Sequence, residues 1–125
     1  MEKINLLVDT DILIDYFNTG KFANILENKL FIVYYSVVTE KELLSKGGLK
    51  TSEKEAILYT LKKYRRVRIN NSIAFKYSDL RQLYPLLDKE DVLIAATAIT
   101  KKLPFATRNY KHYEKVKGLI LFKGK

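Results

Sequence analysis

The run Ile4 to Val8 is short, almost wholly apolar, and ends abruptly on an acid, Asp9. A strand that is apolar at nearly every position has both faces covered, which is the habit of a parallel sheet enclosed by helices. The rest of the chain keeps that pattern. Ile12, Leu13, Tyr16 and Phe17 recur at helical spacing until Thr19-Gly20, and a short helix from about Phe22 to Asn28 leads into a second apolar strand, Leu30 to Tyr35. Ser36 caps a helix through Glu42 and Leu44 that ends at Gly47-Gly48. Thr51 or Ser52 caps a longer one, with Ala56, Ile57, Leu58, Leu61 and Tyr64 turned inward. Val67 to Ile69 makes a minimal strand, and Asn71 or Ser72 begins a helix through Phe75, Leu80 and Leu83 that Pro85 stops near Tyr84. Asp88 opens a very apolar helix, Val92 to Ile99, closed around Lys101-Lys102, and Pro104 to Thr107 and Leu119 to Phe122 complete the strands. Strands alternating with helices predict an α/β sandwich around a mostly parallel central sheet.

At 125 residues the chain, 1–125, has room for one domain, and 47% apolar residues suffice for a buried core. No apolar stretch approaches the roughly 20 residues of a membrane span. Asp9, Asp11 and Asp15 break up the continuous apolar segment that a secretion signal needs, so a cytoplasmic protein without membrane association is expected. With no cysteine and the single His112, disulfides, thiolate chemistry and histidine metal clusters are excluded. Any metal is held by oxygen. The formal charge of +9 is unevenly spread: residues 1–62 carry 8 basic and 9 acidic groups, whereas the last 26 residues carry 8 basic groups against Glu114 alone. A field of that sign suits a polyanion such as RNA, and it is equally what a solvated lysine-rich surface looks like.

In an open parallel sheet, ligands gather beyond the carboxyl ends of the strands. Asp9 follows the first strand, Glu42 lies on the helix after the second, Asp91 sits in the first turn of the helix opened by Asp88, and Asn109 follows the strand ending at Thr107. Four segments thus aim Asp, Glu, Asp and Asn at one end of the sheet. Clustered carboxylates repel until a proton or cation neutralises them. Hard oxygen ligands suit Mg²⁺ or Mn²⁺, and a water retained by such an ion is a nucleophile for phosphorus. Each acid also has a plain structural reading. Asp91 with Asp88 fits a helix start, Glu42 a solvated helix position, Asp11 a helix cap, and Asp15 a surface site. Glu40 competes with Glu42, but the two point to different sides of a helix.

Four segments in order resemble PIN-domain ribonucleases, and within them VapC-type toxins of toxin–antitoxin pairs: L-L-V-D-T-D-I-L-I-D from Leu6, S-V-V-T-E-K-E-L-L from Ser36, D-V-L-I-A-A-T-A from Asp91, and A-T-R-N-Y-K-H-Y-E-K-V-K-G-L from Ala106. The resemblance implies a three-layer α/β/α sandwich, Mg²⁺- or Mn²⁺-dependent RNA cleavage with one or two ions, a homodimer, and a small antitoxin that covers the acidic cleft. It carries catalytic and metal-holding roles to Asp9, Glu42 and Asp91, and a supporting role to Thr10. Many members have an acid where this chain has Asn109, which supplies no charge and favours one tightly held ion. Asp11 stands where Asn or Ser is frequent.

Thr107 and Arg108 are candidates for holding a phosphate, and Arg108, Lys46 and Lys111 for gripping RNA, with Tyr110 or Tyr113 as base-stacking candidates. Core packing or a dimer surface is the plainer reading of the tyrosines. His112 is assigned no role beyond surface or packing, and the basic run Lys62 to Arg68 reads as a helix end. Two other functions compete. A PIN-like module that binds RNA or protein without cutting follows if Asn109 disables the site. A haloacid-dehalogenase-type phosphatase would use Asp9 as nucleophile and Asp11 as acid, but it needs late acids, and after Asp91 only Glu114 remains.

Overall fold

A computed structural model describes residues 2–123. Four parallel strands, β1 (Ile4–Val8), β2 (Phe31–Ser36), β3 (Arg65–Val67) and β4 (Phe105–Ala106), form a sheet in the order β3-β2-β1-β4. The helices are α1 (Thr10–Thr19), α2 (Ala23–Leu26), α3 (Val37–Leu44), α4 (Thr51–Leu61), α5 (Asn71–Leu83), α6 (Lys89–Lys101) and α7 (Tyr110–Tyr113). On one face of the sheet Leu6, Val8, Val33 and Tyr35 pack with Ile12, Leu13, Ile25, Leu26 and Leu61. On the other, Leu7 and Val67 pack with Ile73 and Leu80 of α5 and the small, apolar side of α6. Burying each of these larger side chains is worth about 1.5–3 kcal/mol, so the two cores fix the sandwich and with it the carboxyl edge of the sheet. No described helix is long and apolar enough to cross a membrane.

Local chemistry sets the ends of the helices next to the site. Asp9 caps α1 by accepting the Thr10 amide, and Gly20 closes it in the left-handed region at φ 76°. Ser36, the last residue of β2, accepts the Val38 amide at 3.0 Å and so turns the strand directly into α3.

Several expected features are displaced. Only Leu6 to Val8 of β1 are fully enclosed; Ile4 and Asn5 are exposed because no helix covers the amino end of the strand. The third strand comes two residues early, Arg65–Val67 in place of Val67 to Ile69, since α4 ends at Leu61 and a short turn suffices to return to the sheet. Within α4 only Leu61 is buried, Ile57 is half-buried, and Ala56 and Leu58 face solvent; Tyr64, beyond the helix, is half-buried. The α5 cap is Asn70, not Asn71 or Ser72, through a 2.9 Å bond from the Ile73 amide. Leu119 to Phe122 forms a single parallel bridge, Leu121 to Phe105, where a strand was expected, and the helical turn α7 precedes it.

Candidate active site

Asp9 stands at the carboxyl end of β1 with 6% of its surface exposed. Its Oδ1 accepts the Thr10 amide at 2.9 Å and its Oδ2 accepts the Thr107 hydroxyl at 2.8 Å. Thr107 directly follows β4, the neighbour of β1, so two adjacent strands end side by side and clamp the carboxylate. Asp11, half-buried in the first turn of α1, has its Oδ2 3.4 Å from the same hydroxyl and 3.6 Å from Arg108 Nε. Its Oδ1 is buried with no hydrogen-bond partner among the described residues.

Glu42 comes from α3. The Thr10 hydroxyl donates to its Oε1 at 2.6 Å and lies 2.9 Å from the Thr39 hydroxyl, which tethers α1 to α3. Glu40 points elsewhere and pairs with Arg66 at 3.1 Å. Asp91 comes from the first turn of α6, with its Oδ2 2.9 Å from His112 Nε2 on α7. Asp88 occupies the N-cap position of α6 without a capping bond from its side chain. Asp9, Thr10, Asp11, Glu42, Asp91, Arg108 and Asn109 line one cleft of about 480 Å³, with Ile14 and Tyr113 completing its wall.

The cluster is electrostatically frustrated. Burial, followed by the charge of Asp11, pushes the Asp9 pKa up to about 7, against the opposing hydrogen bonds from Thr107 and Thr10. Burial also raises Asp11 despite the guanidinium of Arg108, and raises Glu42, with Asp91, Glu90 and Asp88 adding to the effect. The Tyr113 hydroxyl is buried without a hydrogen-bond partner among the described residues, and its pKa is driven upward first by burial, then by Asp9 and Asp91.

Among the described residues no three His, Asp or Glu side chains stand close enough to enclose a metal ion unaided. The donors nonetheless fit a hydrated Mg²⁺ or Mn²⁺, which keeps several waters and is held by one or two carboxylates. A cation would give the orphaned Asp11 Oδ1 a partner and lower the cost of ionising Asp9.

The basic candidates are distributed differently from expectation. Arg108 reaches the cleft but is tied to Asp15 by two 2.9 Å bonds, so Asp15 is an anchor for Arg108 and not an idle surface acid. Lys46 lines a separate apolar groove with Ile14, Phe17, Leu43, Leu49 and Ile57. Lys111 is exposed on α7 and does not line the acidic cleft. Tyr113 is 1% exposed and packs edge-on to Phe105 at 4.9 Å, which leaves no ring face for a base. Tyr110 is partly exposed, and its hydroxyl donates to the Phe122 carbonyl at 3.3 Å. His112 was missed as a site residue. Its one sequence signal is the three-residue step from Asn109, which aligns both on the side of a helical turn.

Comparison with known proteins gives the family and the fold. A PIN domain family profile matches residues 6–119. The chain is 33% identical over 128 aligned positions to ribonuclease VapC1 of Methanocaldococcus jannaschii, covering 97% of this chain and 89% of that protein. The toxin–antitoxin complex from Klebsiella pneumoniae superposes with a TM-score of 0.76 at 29% identity, covering 92% of this chain and 95% of the other. VapBC2 from Rickettsia felis, bound to a promoter DNA fragment, gives 0.81 at 21% identity, with 95% and 98% covered, which is a likeness of fold.

Proposed function

The chain belongs to the PIN domain family, and from that premise we propose that it is a ribonuclease that hydrolyses RNA phosphodiester bonds with the help of Mg²⁺ or Mn²⁺. The observation that carries the reading is the meeting of Asp9, Asp11, Glu42 and Asp91, from three separate elements, around one cleft in which ionisation of Asp9 is costly.

When bound, the ion supplies an acidified water and neutralises charge on the phosphoryl oxygens. Asp9 and Asp91 are the residues to hold it. Thr10 and Thr107 fix the rotamer of Asp9, and His112 occupies Asp91 Oδ2 so that Oδ1 is left for the ion. The Thr10 hydroxyl holds Glu42 Oε1, leaving Oε2 to take a proton from the attacking water, and burial raises its affinity for that proton. Asn109, without charge, contributes a neutral donor or acceptor and favours a single ion.

The test is cleavage of structured RNAs by the parent, Asp9→Asn and Asp91→Asn proteins, with Mg²⁺, Mn²⁺ or chelator. Cleavage by the parent alone, abolished by chelator, supports the reading. Equal cleavage by all three refutes it, and tight RNA binding without cleavage in any divalent ion indicates a binding module. Family membership leaves the phosphatase alternative without support.

The same reading makes the chain the toxin of a toxin–antitoxin pair in the cytoplasm. The apolar groove of about 390 Å³ between α1, α3 and α4 shares Ile14 with the acidic cleft, so an antitoxin segment lying there also covers the acids. Phe75 and Leu83 on α5, 73% and 64% exposed, and Leu86 beyond it suit a homodimer face. Expression without an antitoxin should slow growth of the host cell.

A further inference from the structure

The basic run Lys62 to Arg68 is a helix end only at its start, where Lys62 is the C-cap of α4; Arg65 to Val67 within it are strand. After α4 stops at Leu61 the run turns into β3, the edge strand, which pairs only with β2. Alternation along β3 sends Arg66 toward Glu40, where it forms an ion pair, while Arg65 shares the face of the buried Val67. Arg65 and Arg68 have no ion pair among the described residues, and the Arg65 guanidinium lies 5.9 Å from the centroid of the Tyr34 ring. Together with Asn5, Arg66, Asn70 and Lys101 they line a cleft of about 560 Å³ whose wall, among the described residues, holds no carboxylate. The opening exists because the helices leave the amino end of β1 uncovered, which is why Asn5 is exposed within a central strand.

The groups around this cleft are almost all donors. Asn70 spends its carbonyl oxygen on the Ile73 amide, so only its NH₂ is free. Two guanidinium forks outside any ion pair, a third held by Glu40, an ammonium and two amides, with Tyr34 behind one fork, match a phosphodiester backbone with an adjacent base. The acidic cleft itself cannot grip such a backbone well. Among the described residues its one cation, Arg108, is tied to Asp15 and Asp11, and Lys46 faces another groove. The two clefts share no residue, and Asn5 stands four residues before Asp9, roughly 13 Å along β1.

We propose that the cleft of Arg65, Arg68 and Lys101 is an anchoring site for the RNA backbone, taking phosphates beyond the nucleotides that enter the acidic cleft. The proposal rests on the ribonuclease reading for its ligand, but its test does not depend on catalysis. In the Asp9→Asn background, so that nothing is cut, binding of a fluorescein-labelled long oligouridylate and of a labelled trinucleotide is followed by anisotropy across a salt series. Arg65→Ala with Arg68→Ala should weaken the long RNA about tenfold and reduce the slope of log K against log salt by about 1.4, the value for two lost single-strand phosphate contacts. The trinucleotide should bind as before, and a control pair, Lys54→Ala with Lys115→Ala, should leave the slope unchanged. An unchanged slope with the long RNA overturns the proposal, as does an equal loss with the trinucleotide. Association of the double variant through β3 with an unchanged slope also overturns it, and assigns the arginines to guarding the sheet edge. If the parent cuts no RNA while the slope still falls, the anchoring site stands and the ribonuclease reading fails alone.

Discussion

Replacing Asp9 by Asn should stabilise the metal-free protein at neutral and alkaline pH while abolishing its activity. The Asp9 carboxyl titrates near 3.8 ordinarily and at about 7 in the folded chain. An acid whose folded pKa is raised gives stability when protonated; that contribution is complete below pH 3.8 and is lost as pH rises through about 7. The full difference corresponds to about 4 kcal/mol of penalty above pH 7, at 1.36 kcal/mol per pKa unit. Asn keeps one oxygen for the Thr10 amide and offers an NH₂ to the Thr107 hydroxyl, which already accepts the Asn109 amide at 3.1 Å. Weakening that bond costs about 1 kcal/mol at every pH, so a net gain of about 3 kcal/mol is expected at pH 8 and a net loss of about 1 kcal/mol at pH 3.5. Urea unfolding in chelator at a series of pH values measures it. The parent should lose stability relative to Asp9→Asn between pH 4 and pH 8, and added Mg²⁺ should restore the parent selectively. Parallel pH curves for the two proteins, or a variant less stable at pH 8, would refute the assignment of the strain to Asp9.

Tyr113→Phe should raise metal-free stability by about 1 kcal/mol, because it removes a buried hydroxyl without a partner; thermal unfolding checks it. His112→Ala frees Asp91 Oδ2 and should weaken Mn²⁺ binding 10- to 100-fold by calorimetry while the fold, followed by circular dichroism, persists. Phe75→Lys with Leu83→Lys should leave the chain monomeric in light scattering and should not alter the unfolding of the monomer, since both side chains are exposed.

The acids, the Ser36 cap and the strand-helix order were legible because each has a local signature, whereas α4 and α5 begin at caps, Lys50 and Asn70, one residue before those read. Asp9 ends an apolar run, Ser36 precedes a helical period, and Glu42 follows Glu40 by a step that separates their directions. Other features depend on what folds over them. Arg65 and Arg66 hide an edge strand, because an edge needs only alternate burial and their charges read as a helix end. Ala56 and Leu58 follow the helical period yet stay exposed, because α4 touches the core through little more than its last turn. Asp15 gains its role from Arg108, 93 residues away, and His112 from Asp91 across two helices, which no spacing rule connects.

The bond from Thr107 to Asp9 spans 98 positions of sequence. A growing polypeptide therefore carries Asp9 long before the strand that clamps it has been made. Until β4 docks beside β1, Asp9 has lost half its support and Asp91 has no α7 to lean on. Assembly of the acidic cleft therefore waits until β4 and α7 have been made and have docked.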